Sequence, residues 1–184
     1  LFVNRNLEFR SIIHEVAAGV EFHYVPFTFG KGNKNAGTAY LMAQIGGFHM
    51  DPKAMYNGEL VSLKPMSTEG QGTSIGTRNP YKLYQICMPL GMGVKLAIGN
   101  KLTVNFDLAI RKTFTDYLDD VGSLTYANAK VIDKEVSDDA SALSNRSLDG
   151  SKYGLRGNPT TKDWYVFTGM TIAIRLGKEK ICFY

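Results

Sequence analysis

The sequence predicts an all-β protein, an antiparallel transmembrane β-barrel, from the length of its strands and the order of its loops. Several segments alternate between large apolar residues and small or polar residues for longer than the about five or six residues of a usual soluble strand. They reach the about nine to eleven residues that a tilted strand needs to cross a bilayer. The connections alternate between short and long, as in outer-membrane barrels, where short turns face the periplasm.

The clearest alternation lies in residues 102–111, which read LTVNFDLAIR. Leu, Val, Phe, Leu and Ile form one face, and Thr, Asn, Asp, Ala and Arg form the other, because successive strand side chains point to opposite sides. We call the large apolar face of each strand its outer face and the small or polar face its inner face. This pattern predicts lipid on the outside and a crowded, polar lumen on the inside.

The first half of the chain predicts two strands joined by a short turn. The first strand covers residues 8–29, with Pro26 near its end, and a polar turn follows over residues 30–37. The second strand covers residues 38–50 and has the weakest alternation. A long loop rich in Gly, Pro, Thr and Ser follows over residues 51–80.

The second half predicts three more strands. Residues 81–98 form the third, and the Gly-Asn pair within residues 99–101 indicates a hairpin turn. Residues 102–118 form the fourth strand, residues 119–161 a second long polar loop, and residues 162–176 the fifth strand.

The order of the loops predicts an orientation in the bacterial outer membrane. The two short turns and the C-terminus lie in the periplasm, so the chain starts on the outside. A bacterial barrel has an even strand number, and three strands before Leu1 would make eight, the smallest common barrel. We therefore expect residues 1–184 to be the C-terminal part of a single barrel domain whose N-terminal strands are missing.

The inner face collects polar residues that we expect to fill the lumen. They are Glu15, Glu21, His23, Gln44, Lys95, Asn105, Asp107, Arg111 and Arg175. The interior of an eight-stranded barrel is just wide enough for side chains to fill it, and charges there must be paired or hydrated. We expect an ion-paired structural plug and not a conducting pore.

Aromatic residues cluster at the predicted strand ends, as they do in belts at membrane interfaces. Those at the extracellular ends are Tyr81, Tyr84, Phe114, Tyr117, Trp164 and Tyr165. Those at a periplasmic end are Phe22, Tyr24, Phe27 and Phe29.

Composition and charge argue against other classes. No stretch approaches the about eighteen consecutive apolar residues of a transmembrane helix. The net charge of +4 comes from scattered Lys and Arg, so no nucleic-acid binding is predicted. The three histidines are dispersed, so we expect no metal site and no cofactor. Asp116, Asp119 and Asp120 could contact a cation at the outer rim, but we expect a solvated acidic turn.

Four stretches carry a resemblance to a known family. Residues 51–59 read DPKAMYNGE, residues 65–72 read PMSTEGQG, residues 111–121 read RKTFTDYLDDV and residues 156–169 read RGNPTTKDWYVFTG. Together they are similar to the Bacteroidota outer-membrane barrel family that contains PorG, a component of the type IX secretion system.

The resemblance implies an eight-stranded barrel with a signal peptide, no catalytic residues and an association with a periplasmic ring. That ring is built from the PorK lipoprotein and PorN, so this chain is expected to anchor a PorK-like and a PorN-like protein to the outer membrane and its lipid.

The loop topology indicates where the ring would contact the chain. The periplasmic candidates are Lys31, Asn33, Lys34, Asn35, Asn100, Lys101, Lys178, Ile181, Cys182, Phe183 and Tyr184. Two alternatives stay open, both acting through the long extracellular loops: a surface adhesin or ligand binder, and a lipid-modifying enzyme that uses Asp116, Asp119, Asp120 and His49.

Overall fold

The computed structural model of the protein is mostly antiparallel β-sheet with short helices. It describes residues 2–27, 37–76, 79–99, 101–150, 156–174 and 176. Five long strands form one sheet. They are β1 (His14–His23), β2 (Gly37–His49), β5 (Tyr84–Ile98), β6 (Leu102–Thr113) and β7 (Trp164–Ile174).

The sheet order is β1-β2-β5-β6-β7, so each long strand lies beside the next long strand in the chain. Strands β6 and β7 are antiparallel, and their register runs from Leu102 opposite Ile174 to Lys112 opposite Trp164. Inner-face residues therefore lie opposite inner-face residues, with Asp107 directly across from Gly169. The predicted all-β class and antiparallel pairing are confirmed. The described strands form an open sheet with β1 and β7 at its ends, so the closed eight-stranded barrel stays a prediction.

Burial alternates along β2, β5 and β6 as the pattern predicts, whereas β1 and β7, at the ends of the sheet order, are exposed on parts of both faces. On β6, the inner-face residues Thr103, Ala109 and Arg111 are 3%, 1% and 7% exposed. Phe106 and Leu108, on the outer face, are 46% and 48% exposed. The apolar face is thus the exposed one, which is the reverse of a strand that covers a water-soluble core.

Four of the five predicted strands are longer than the observed ones, and the first and fourth differ most. The first begins only at His14, because Arg10 forms an isolated backbone bridge with Lys53 instead of continuing β1. The fourth ends at Thr113, whose backbone N–H and hydroxyl both donate to the carbonyl of Asp163, at 3.1 and 2.8 Å. The Asp163 side chain then accepts from the backbone N–H of Leu118.

The two long loops contain regular structure that the sequence pattern did not predict. The first holds the hairpin of β3 (Lys53–Tyr56) and β4 (Glu59–Ser62), followed by a 3₁₀ turn at Lys64–Met66. The second holds α2 (Ala129–Glu135) and α3 (Asp138–Ser144).

Side chains cap both of these helices, and a third short helix lies near the start of the chain. The Asn128 side chain accepts from the backbone N–H of Lys130, and the Ser137 hydroxyl accepts from that of Ala140. A single turn, α1 (Phe2–Arg5), precedes the strands. Within the described ranges, every helix is too short or too polar to span a membrane.

The chain forms two compact units. The loop unit comprises the described parts of residues 1–16, 47–86 and 113–163, and the strand unit comprises those of residues 17–46, 87–112 and 164–184. In the loop unit, a small apolar core of Ala54, Leu63 and Leu143 holds the hairpin against a helix. The strand unit buries Tyr40, Cys87, Ala97 and Ala109, all on the inner face.

Candidate functional site

Charged side chains of β1 and β5 meet on the inner face of the strand unit. The Lys95 ammonium donates to the Glu21 carboxylate. His23 Nε2 lies 3.1 Å from Glu21 Oε2 and 3.4 Å from Lys95 Nζ. The three groups form one connected set in which Glu21 and Lys95 neutralise each other.

Tyr40 on β2 extends this set to β6. Its hydroxyl donates to Asp107, and Lys95 Nζ lies 4.6 Å from the centroid of its ring. Tyr40 is only 3% exposed, so the hydroxyl needs the partner that Asp107 supplies. We call Glu21, His23, Tyr40, Lys95 and Asp107 the inner-face cluster.

The inner-face cluster contains four of the nine predicted lumen residues and one residue that the prediction missed. Tyr40 shares the inner parity of β2 with Gln44, so strand alternation could have found it. Arg111 stands apart, 4.3 Å above the Phe167 ring, and Gln44 is half-buried.

The remaining predicted lumen residues are dispersed. The Asn105 Oδ1 atom is buried without a hydrogen-bond partner among the described residues. Glu15 belongs to the loop unit, where it is half-buried, and Arg175 lies outside the described residues.

A buried ion pair organises the loop unit. Glu69 Oε1 accepts from Arg156 Nε at 3.2 Å and from the backbone N–H groups of Gly122 and Ser123 at 3.1 and 2.9 Å. Both side chains of the pair are almost fully buried. Arg156 also donates to the carbonyl of Ser144, so it connects several segments of this unit.

Asp120 joins the same cluster from the adjacent turn. Its carboxylate accepts from the hydroxyls of Tyr81, at 2.7 Å, and Thr68, and Thr68 in turn accepts from Arg156 at 3.1 Å. Burial raises the pKa of Asp120 to about 6 and also raises the pKa of Tyr81. We call Thr68, Glu69, Tyr81, Asp120 and Arg156 the loop cluster.

The loop cluster corrects two expectations. Asp116 and Asp120 are 4% and 1% exposed, so they are not a solvated acidic turn. Tyr81 and Tyr117 are buried and stacked with ring centroids 4.8 Å apart, so they do not belong to an exposed aromatic belt. The Asp120 carboxylate accepts a hydrogen bond from the Tyr81 hydroxyl inside this unit and not at its surface.

Several other predicted belt residues are exposed. At the strand ends predicted to be extracellular these are Tyr84, Phe114 and Trp164, and at the end predicted to be periplasmic they are Phe22 and Tyr24. Tyr165 and Phe27 are half-exposed, and Phe29 lies outside the described residues.

The carboxylates proposed for catalysis or cation binding do not converge with His49. Asp119 and Asp120 line a cavity of about 150 Å³ with Arg146 and Arg156, whereas His49 lines two other clefts. Burial raises the pKa of Asp119 to about 6. Across the described residues, no group of three His, Cys, Asp or Glu could hold a metal ion.

The outer face of the strand unit is an extended apolar surface. Large apolar side chains there are exposed on every strand. They include Val20, Phe22, Leu41, Ile45, Met88, Leu90, Met92, Val94, Leu96, Ile98, Phe106, Leu108, Ile110, Val166, Met170, Ile172 and Ile174. Contiguous exposed apolar surface on this scale marks an interaction site.

Most of the predicted periplasmic contacts lie outside the described residues. These are Lys31, Asn33, Lys34, Asn35, Asn100, Lys178, Ile181, Cys182, Phe183 and Tyr184. Lys101 is exposed in the turn between β5 and β6, where Gly99 has a φ of +64°.

Comparison with known proteins found no matching family model, no matching curated protein and no matching solved structure.

Proposed function

We propose that this chain is part of an outer-membrane β-barrel that anchors the periplasmic ring of a type IX secretion system. The exposed apolar outer face of the strand unit is the observation that supports a barrel in the membrane, and the membrane barrel is the part of the proposal on which the rest depends. In water such a face would aggregate or attract a partner, whereas the hydrocarbon core of a bilayer matches it chemically.

Strand length supports membrane insertion. The five long strands contain 10, 13, 15, 12 and 11 residues. A tilted strand crosses the hydrocarbon core with about nine to eleven residues. Each long strand therefore suffices for one crossing, and the apolar outer face runs along it.

The inner-face cluster supports a filled lumen. The Glu21 carboxylate accepts from Lys95, and the Asp107 carboxylate accepts from the buried Tyr40 hydroxyl, so the polar groups of this cluster have partners. Nothing in this arrangement resembles a nucleophile with its base. A structural plug fits it better than a catalytic or conducting site.

The loop cluster bears on the family resemblance. Thr68 and Glu69 come from the stretch 65–72, Asp120 from the stretch 111–121, and Arg156 from the stretch 156–169. Three of the four stretches that carry the resemblance thus supply side chains to one buried cluster. In this chain, the residues that carry the resemblance therefore belong to one structural unit, and the proposed role in secretion rests on the resemblance itself.

Cross-linked purification of the protein from its native outer membrane tests the anchoring role. We expect a PorK-like lipoprotein and a PorN-like protein to co-purify, and deletion of residues 181–184 to reduce their recovery. Leu148→Ala, at an exposed apolar position of the loop unit, is the matched control and should change nothing. A wild-type preparation that yields the barrel without a periplasmic lipoprotein would contradict the role, and undiminished recovery after the deletion would exclude the tail as the contact.

A further inference from the structure

An apolar groove crosses the outer face of the strand unit. It has a volume of about 590 Å³ and takes two outer-face residues from each of β1, β2, β5 and β6, which are neighbours in the sheet, if Tyr24 is counted with the strand that it directly follows. These residues are Phe22, Tyr24, Ale39, Leu41, Met92, Val94, Phe106 and Leu108. The groove therefore runs across the strands and not along one of them.

The small side chain of Ala39 lies between larger ones. Ala39 is exposed, and its carbonyl accepts from the backbone N–H of Tyr24 at 2.9 Å, so an aromatic residue lies directly beside it. The inner-face residues Tyr40, Gly93 and Asp107 also line the groove, and because strand side chains alternate, theirs belong to the opposite face. The sheet itself is thus the floor of the groove, and outer-face side chains are its walls.

The dimensions of the groove fit one hydrocarbon chain. Alternate residues of a strand are about 7 Å apart and neighbouring strands about 4.8 Å apart, so a groove between two such rows crosses about 14 Å of a four-stranded sheet. An α-helix with its side chains is about 10–12 Å wide and would not enter. An extended peptide would bring N–H and C=O groups into hydrocarbon without hydrogen-bond partners.

The chemistry of the walls favours an apolar occupant without selecting a headgroup. Of the described residues that line the groove, Asp107 alone is charged, and its carboxylate accepts from the Tyr40 hydroxyl on the inner face. Tyr24 is 83% exposed at the strand end predicted to be periplasmic, and tyrosine is typical of the level at which headgroups begin.

We propose that this groove holds one straight acyl chain of a phospholipid from the periplasmic leaflet. The chain lies beside Ala39 between the walls, and its headgroup lies beyond Tyr24 in water. Contact with side chains on two sides distinguishes this chain from lipids that touch the rest of the outer face, because more of its surface meets protein atoms. The inference rests on the proposed membrane location.

Native mass spectrometry of the wild-type protein released from nanodiscs tests the occupant. We expect one phospholipid to remain on the protein after the others are removed by collision. Phosphatidylglycerol and phosphatidylethanolamine with identical chains, supplied in equal amounts, should be retained equally, since the groove carries no charged wall. Retention of one headgroup over the other, or no lipid that outlasts the rest, would overturn the proposal.

The shape of the chain is a second test on the wild-type protein. Straight palmitoyl chains should be retained in preference to methyl-branched phytanoyl chains of equal main-chain length, because the branches widen the chain beyond the space between the walls. Equal retention of the two phospholipids would overturn the proposal. This comparison does not depend on the folding of a variant.

Filling the groove tests its position. Ala39→Phe places a ring in the groove, so the retained phospholipid should be lost. Ala43→Phe is the matched control, because Ala43 is exposed on the same face of β2 outside the groove, and it should retain the phospholipid. Retention that is the same in both variants would overturn the proposal.

Insertion of the wild-type protein into phosphatidylcholine vesicles separates this proposal from the proposed function. A protein that inserts but retains no phospholipid would contradict the groove alone. Failure to insert would contradict the membrane location on which both depend.

Discussion

Glu69 and Arg156 form a buried ion pair across 87 residues of sequence, with 3.2 Å between Oε1 and Nε. The Glu69 oxygen also accepts two backbone N–H groups, and Arg156 reaches Thr68 and the Ser144 carbonyl. The pair therefore holds segments of the loop unit together through these hydrogen bonds as well as through its opposite charges.

Removing one partner of this pair should unfold the loop unit selectively. Arg156→Met leaves the Glu69 carboxylate buried and uncompensated, which costs about 3–5 kcal/mol. The double variant Glu69→Leu with Arg156→Met should recover part of that loss, because neither member of the pair is then left buried without its partner. Urea unfolding followed by near-ultraviolet circular dichroism measures both, and a double variant less stable than Arg156→Met would contradict this account.

The stability of the loop unit should fall as the pH rises from about 4 to 6. Burial raises the pKa values of Asp119 and Asp120 from 3.8 to about 6, so in this range the folded unit binds more protons than the unfolded chain. The contribution of these two carboxyl groups to the free energy of unfolding is therefore largest below pH 4, and it is lost as they ionise. Asp120→Asn, which mimics the protonated side chain, should reduce the fall in melting temperature between pH 4 and 6, and the remaining fall should come from Asp119. A wild-type stability that rises over this range would be the opposite result.

Gly93 should not tolerate a side chain. A Cβ atom there would lie 2.6 Å from Cζ and Oη of Tyr40, so Gly93→Ala must displace the ring that donates to Asp107. Overpacking of this kind costs about 1–3 kcal/mol. Gly47→Ala is the matched control on β2, because its nearest neighbour would be 3.8 Å away. Equal urea stability of the two variants would argue against a tightly filled inner face.

An arginine at an exposed position of β6 should be costly in a bilayer. Leu108 is 48% exposed, and substitution of an exposed residue in water changes stability by only about 0.5 kcal/mol. In lipid, Leu108→Arg should cost about 2–4 kcal/mol near mid-membrane. Leu148→Arg, at a 67% exposed position of the loop unit, should stay near neutral. Refolding equilibria in vesicles measure the loss of stability in each variant. An equal loss in Leu108→Arg and Leu148→Arg would contradict lipid contact at β6.

The strands were predictable because their chemistry repeats every second residue. Outer-face residues of β6 that are two positions apart lie in the same environment. A short stretch of sequence therefore suffices to place Phe106 and Leu108 on the outer face. Tyr40 was missed for a related reason. Strand alternation places Tyr40 on the inner face of β2, but an aromatic residue with a polar tip fits either face, and the residue type alone does not reveal its partner Asp107 on another strand.

The loop cluster could not be predicted from the pattern. Thr68 and Arg156 are 88 residues apart, and neither lies in a periodic segment that would indicate burial. Asp119 and Asp120 look like an exposed acidic turn, because local sequence carries no sign of the Tyr81 hydroxyl that meets Asp120. The stretches that carry the family resemblance contain Thr68, Glu69, Asp120 and Arg156, but the sequence does not show that these side chains meet in one cluster.

Quenching of the single tryptophan by brominated lipids tests the membrane location most directly. Trp164 is 56% exposed at the start of β7, on the outer face. We expect lipids brominated near the headgroup to quench its fluorescence in reconstituted vesicles more strongly than lipids brominated near the chain ends, with little quenching by aqueous iodide. Strong quenching by iodide and none by either brominated lipid would place this face in water and contradict the barrel.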